Sequence, residues 1–187
     1  MKVLAKWLLF AVVNIILLLT TPIAAVLISL FTEEQPHNKP SYSWGWIWGT
    51  YDNPPQGDEG FVKKRALFLN TTTGFKGYLN RVWWMLRNPL YGLSKYFSIK
   101  WAEDMSVVFK GKRGISDKYG IPGWYLAKAY QGNTLVAFEF YGIFPYTSKR
   151  DFRIRLGWKI VTSKFQELGF AHATVSINPF DGYGNEK

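Results

Sequence analysis

The sequence predicts an α+β protein in which an N-terminal apolar helix precedes a small domain of helices and an antiparallel β-meander. Three observations carry this prediction. The 25 residues Trp7–Phe31 contain no charged side chain, and Gly74–Arg87 repeats apolar residues at helical spacing. From Trp124 onward the apolar period changes to two, which is typical of half-buried strands. The N-terminal helix is therefore expected to be transmembrane or membrane-associated.

The apolar segment is long enough to cross a bilayer. At about 1.5 Å per helical residue, Trp7–Phe31 reaches about 37 Å, whereas the hydrocarbon core is about 30 Å thick. Pro22 predicts a kink, and Asn14 needs a hydrogen-bond partner in lipid. Two other interpretations stay open: a signal peptide cleaved after Ile23-Ala24-Ala25, and an interfacial or re-entrant helix bent at Pro22. Because apolar character resumes through Val26–Phe31, a retained anchor is favoured.

The rest of the chain divides by composition. Residues 1–31 are predicted as a membrane anchor helix, 32–50 as a linker and aromatic juxtamembrane segment, and 51–187 as a basic α+β domain. Orientation stays open because the charge cues disagree. Lys2 and Lys6 favour a cytoplasmic N-terminus by the positive-inside rule, whereas the net charge of +8 on the chain beyond Phe31 suits the anionic cytoplasmic leaflet.

Composition restricts the chemistry. The chain has no cysteine and only two histidines, so thiolate metal sites and Cys nucleophiles are excluded and a zinc site is not expected. The turn-rich stretch Tyr51–Gly60 offers Asp52, Asp58 and Glu59 to a hard cation, but the EF-hand spacing is absent. No metal site and no cofactor are therefore predicted.

No residue is predicted to be catalytic. His172, Asp104 and Glu139 are candidate acid–base groups, but nothing in the sequence pairs them. The segment Gly114-Ile115-Ser116 lacks the second glycine of a nucleophile elbow. The chain is therefore predicted not to be an enzyme, and an enzyme acting on lipid or nucleic acid is the less favoured alternative.

Four tryptophans are candidate membrane contacts, because Trp collects at membrane–water interfaces. In an extended chain, alternate residues point to one face, so three of them would share a face. The alternative is that this run forms a buried edge of the domain. The four candidates are Trp7, Trp44, Trp46 and Trp48.

The net charge of +10 favours anionic partners, and two basic segments are candidate anion sites. Val107–Ser116 is predicted as a basic hairpin tip, since its glycines do not have P-loop spacing. Phe152–Ile160 alternates apolar and basic residues and is predicted as a half-buried strand with an open basic face. That face could track nucleic-acid phosphates, but a solvated face is favoured. The candidates are Lys110, Lys112, Arg113, Arg153, Arg155 and Lys159.

Three segments resemble a family of short tailed-bacteriophage proteins of unknown function. They are Tyr51–Pro54 with Gly57-Asp58, then Tyr78–Trp84 running on to Arg87–Gly92, and Phe152–Lys159. The resemblance spans most of the chain from Tyr51 to Lys159 and implies a phage origin. It carries over no catalytic residue.

Together these observations predict a non-enzymatic, membrane-anchored bacteriophage protein of the host cell inner membrane. It would act through the host envelope or other proteins during infection, with the lipid bilayer, a host or phage protein and a second copy of the chain as expected partners. The alternative is a virion structural or genome-delivery component.

Overall fold

A computed structural model describes residues 2–32, 46–48, 73–87, 89–161, 165 and 169–182. These residues confirm the α+β class, with an N-terminal apolar helix followed by short helices and antiparallel sheets. The loop Tyr51–Gly60 and Trp44 lie outside the described residues.

The first helix, α1, covers Lys2–Ile28 and continues into a 3-10 turn at Ser29–Phe31. Its Leu, Ile, Val and Ala side chains favour a helix with no polar stripe, and Pro22 lies inside it. By length and composition it is the one helix among the described residues that is capable of crossing a membrane. Only 28% of its most apolar window is buried, so most of its apolar side chains lie at the surface.

The chain forms two compact units, one of Met1–Ala11 with Phe97–Lys187 and one of Val12–Tyr96. In the second unit, α2 spans Gly74–Arg87 and α3 spans Tyr91–Tyr96, which confirms the predicted helical stripe. Met85 of α2 packs with Ala25 and Ile28 in a small apolar cluster.

Polar contacts also hold α2 to the end of the apolar segment. The Tyr78 hydroxyl donates to the Val26 carbonyl over 3.1 Å, and Arg81 Nε donates to the Ser29 carbonyl over 3.3 Å. Carbonyls at a helix end lack intrahelical partners, so these donors satisfy acceptors that the helix itself leaves unpaired.

The first unit contains the strands. They are β1 Ile99–Lys100, β2 Met105–Gly111, β3 Gly123–Gln131, β4 Thr134–Pro145, β5 Arg150–Trp158, β6 Phe170–Ala171 and β7 Ala173–Gly182. Among the described residues, β2-β3-β4-β5-β7 form an antiparallel five-stranded sheet in that order, and β1 pairs with β6. The β-meander predicted from Trp124 onward is confirmed, because β3 and β4 form a hairpin around a turn at Gly132, whose φ is +54°.

The register sorts the side chains of the sheet onto two faces. Tyr125, Tyr141 and Arg155 are successive cross-strand partners, and Glu139 lies two residues from Tyr141 on the same strand. We call their side the polar face. The neighbouring residues point the other way and form the aromatic face, defined by Trp124, Phe138, Phe140, Phe144, Phe152 and Ile177.

The polar face is the more completely buried one. Glu139 and Asp151 are fully buried there, as are Ala127 and Ile143, while Trp124 and Phe144 of the aromatic face stay exposed. The predicted open basic face of β5 is therefore wrong. Alternation of apolar and basic residues along β5 predicts two faces, but it does not predict which face is buried. The basic face is buried here because Arg153 and Arg155 pair with carboxylates.

Candidate functional site

A fully buried carboxylate, Glu139, lies at the centre of the polar face. The Tyr125 hydroxyl donates to Glu139 Oε1 over 3.0 Å, and the Val161 backbone N–H donates to Oε2 over 2.8 Å. The Nε atom of Arg155 lies 3.5 Å from Oε1. Both carboxylate oxygens thus have partners, as burial of a charged group requires.

The surrounding groups act on Glu139 in opposite directions. Burial raises the pKa of this carboxyl, and that effect outweighs the Val161 N–H, the Arg155 guanidinium and the Tyr125 hydroxyl, which lower it. Burial together with the Glu139 charge also raises the pKa of Tyr125. The Arg155 guanidinium lies 3.9 Å from the centre of the Tyr141 ring, so it is held between a carboxylate and an aromatic face.

We expect this carboxyl to make stability depend on pH. The ordinary pKa of Glu139 is 4.5 and folding raises it, so above about pH 4.5 the folded state holds the proton more tightly than the unfolded state does. The contribution of this group to the free energy of unfolding therefore falls as pH rises through the raised pKa. Urea unfolding in detergent micelles, repeated at increasing pH from about 4.5, should show this fall in the free energy of unfolding for the native chain and not for Glu139→Gln. Parallel pH profiles would contradict the expectation.

The structure places the predicted anion candidates of β5 against acidic partners. Arg153 pairs with Asp117 and Arg155 with Glu139, and their side chains are 30% and 19% exposed. The Lys159 charge lowers the pKa of Glu139, so it too acts on the polar face. Arg153 and Arg155 thus neutralise carboxylates of the chain itself.

The other three anion candidates are exposed. Lys110 lies near the end of β2, and Lys112 and Arg113 begin the connection to its antiparallel partner β3, which confirms the predicted hairpin tip. Lys112 Nζ donates to the Pro122 carbonyl over 3.1 Å, and the Arg113 guanidinium lies 4.0 Å from the centre of the Phe109 ring. All three ammonium or guanidinium side chains lie at the edge of the sheet formed by β2.

The tryptophans predicted to contact the membrane make contacts inside the fold. Trp46 packs against Tyr96 with ring centroids 5.5 Å apart, and Trp48 packs against the apolar cluster around Met85. Trp44 lies outside the described residues. Trp7 packs on the aromatic face of the sheet.

The sequence did not predict that the start of α1 docks onto the sheet. The Trp7 indole N–H donates to the Thr174 carbonyl over 3.1 Å, and its ring meets Phe138 edge-on at 5.6 Å. Phe10 is fully buried, and its ring centroid lies 5.5 Å from that of Phe97. Only the amphipathic character of Trp hinted at this role, because an indole buries a ring while offering one N–H donor.

The three candidate acid–base groups have separate partners. Asp104 accepts from Gln131 Nε2, Glu139 is bound by Tyr125 and Val161, and the His172 ring packs against Phe170. Among the described residues, no group of three or more His, Cys, Asp or Glu side chains is placed to hold a metal ion.

These features define an α+β protein with an N-terminal apolar helix of membrane-spanning length. The family of unknown function DUF7338 matches residues 1–185, and the chain belongs to this family. No curated protein and no solved structure shows significant similarity to the chain.

Proposed function

We propose that the protein is a non-enzymatic membrane protein whose helix α1 is retained as an anchor and whose strand-bearing unit acts by binding other molecules. The observation that carries this proposal is the exposure of α1. A core helix of a soluble protein hides its apolar side chains, whereas only 28% of the apolar window of α1 is buried. Its exposed Leu, Ile and Val side chains require a surrounding of similar polarity, which a bilayer supplies.

Contacts along α1 favour retention over cleavage. A signal peptide is removed from the mature protein, so a domain does not depend on it. Here Phe10 is fully buried in the first unit, and Ala25 and Ile28 are buried in the second. Cleavage after Ala25 would remove Trp7 from the sheet and Phe10 from Phe97, and it would expose the surfaces that they cover.

The setting that we propose is the inner membrane of a bacterium infected by a phage. The resemblance of the Tyr78–Gly92 and Phe152–Lys159 segments to tailed-bacteriophage proteins supports it, and the net charge of +10 suits an anionic leaflet or an acidic partner. A virion component is the alternative. Mass spectrometry of purified particles separates the two, since only the alternative places the chain in the virion.

Fractionation of cells expressing the full chain tests the anchor. We expect the protein to stay with membranes through carbonate washing and to dissolve in detergent, with an intact mass of 21.6 kDa. The double variant Leu19→Arg/Ile23→Arg should be retained far less. Both side chains are exposed, so packing is preserved, and each Arg costs about 2.5–3.5 kcal/mol in a membrane helix.

The matched control is Phe75→Arg/Tyr119→Arg, which places the same charges at exposed aromatic positions outside α1. It should be retained like the native chain. Native protein that is released without carbonate or detergent would refute the anchor. A mass lower by the first 25 residues would identify a cleaved signal peptide instead.

A further inference from the structure

The aromatic face of the sheet exposes apolar side chains that a soluble sheet would cover. Antiparallel sheets in water place apolar residues inward and polar residues outward. Here the carboxylates are buried on the polar face, while Val108, Trp124, Phe144 and Ile177 are between 40% and 59% exposed on the opposite face. The sheet therefore presents its apolar side outward, which marks an interaction surface.

The charge on the aromatic face has one sign. Lys110 and Lys128 lie on the same side of the sheet as Trp124. Lys128 is four residues from Trp124 along β3, and Lys110 is the cross-strand partner of Leu126, which is two residues from Trp124. Across the paired positions of this face from Ser106 to Ile177, the described residues include no Asp or Glu. An anionic surface would meet lysines there and no opposing carboxylate.

The start of α1 lies on the same face. Trp7 contacts Phe138, while Leu4, Leu8 and Leu9 are about half exposed on the parts of the helix not covered by the sheet. The exposed apolar surface of the helix is thus continuous with that of the aromatic face. A partner that accommodates the helix must also lie close to the rings beside it.

We propose that the aromatic face rests on an anionic lipid bilayer, with its rings at the level of the head groups and the ammonium groups of Lys110 and Lys128 against lipid phosphates. Aromatic side chains favour this interfacial position, and lysines near an anionic leaflet are attracted to it. The inference rests on the proposed anchor, because α1 holds the sheet at the membrane. A second copy of the chain is the competing occupant.

Single cysteines test this contact, since the native chain has none. Full-length Ile177→Cys and Val108→Cys are labelled with an environment-sensitive fluorophore and reconstituted into phosphatidylcholine–phosphatidylglycerol vesicles. The matched control is Ser176→Cys, which is exposed, adjacent in the chain and directed to the polar face. Lipid-borne nitroxide should quench the labels at positions 177 and 108 several-fold more than the label at position 176.

A label at Leu19→Cys separates the two proposals. If it is quenched while the labels at 177 and 108 stay in water, the anchor holds and lipid contact of the sheet is refuted. If it is not quenched, the anchor itself fails. A third result would overturn the lipid contact. The labels at 177 and 108 would be shielded from water but not quenched, and the unlabelled variants would form disulfide-linked dimers. A second copy of the chain would then be the occupant.

Charge reversal tests the lysines. Lys110→Glu/Lys128→Glu should lower quenching at position 177 in vesicles that contain phosphatidylglycerol and leave quenching at position 19 unchanged. The control Lys76→Glu/Lys149→Glu changes the net charge equally, at positions off the aromatic face. An equal loss in both double variants would refute a specific contact of Lys110 and Lys128 with phosphate.

Discussion

Glu139→Ala should lower the free energy of unfolding by about 3–5 kcal/mol, the cost typical of removing one partner of a buried ion pair. The substitution leaves the Tyr125 hydroxyl and the Val161 N–H without their acceptor and strands the Arg155 charge. Tyr125 is only 4% exposed and the Arg155 side chain 19%, so water cannot fully replace the lost oxygens. Urea unfolding of the full chain in detergent micelles, followed by Trp fluorescence, measures the loss.

Two variants separate the causes of that loss. Glu139→Gln keeps the size of the side chain and one acceptor oxygen, and it should cost about 1.5–3 kcal/mol, the range for one hydrogen bond to a charged group. Glu139→Leu/Arg155→Leu removes both charges and should be more stable than Glu139→Ala, because replacing a buried pair by apolar residues is often neutral. If Glu139→Ala unfolds at the same urea concentration as the native chain, the cluster does not stabilise the sheet.

Gly157→Ala should be similarly destabilising, by about 3 kcal/mol or more. Gly157 lies beside Glu139 in the ladder with a φ of +101°, a conformation that costs a residue with a Cβ about 1–3 kcal/mol. The added methyl group would also overlap the backbone carbonyl oxygen of Phe138. Relieving that overlap needs a shift of β4 against β5, and overpacking of this kind typically costs a further 1–3 kcal/mol.

Gly132→Ala is the matched control. Gly132 also has a positive φ, of +54°, but a methyl group added there meets nothing within 4 Å. It should therefore cost only the backbone strain, about 1–2 kcal/mol. Equal urea midpoints for the two variants would show that strain at φ accounts for the whole effect and that the approach of β4 to Gly157 contributes nothing.

Local patterns predicted the elements whose causes are local. The α2 stripe, α1 and the period-two pattern of β3 and β4 depend on residues within a few positions of one another, and all three are present. Strand β2 was missed because its Lys and Gly residues weaken the alternation. Strand β5 was predicted within two residues at each end, as fraying allows.

The roles of the charged side chains were not predictable in the same way. The sequence pattern predicted solvated side chains for Arg153 and Arg155. The partner of Arg155, Glu139, is 16 positions away on another strand, and the partner of Arg153, Asp117, is 36 positions away. Periodicity along one strand predicts which residues share a face, but the cross-strand partner of each residue also depends on the turns that connect the strands. The docking of Trp7 could not be predicted for the same reason, because its partners Phe138 and Thr174 belong to the distant strands β4 and β7.

The 167 positions that separate Trp7 from Thr174 also have a consequence for the order of synthesis. At about 5–20 residues per second, roughly 8–33 s pass between the translation of the two residues. Helix α1 emerges first and spends that interval without the strands that later receive Trp7. Its apolar surface is then not yet covered by the sheet. If α1 is the anchor that we propose, its delivery to the membrane precedes assembly of the sheet, and the strands are completed on a helix that is already inserted.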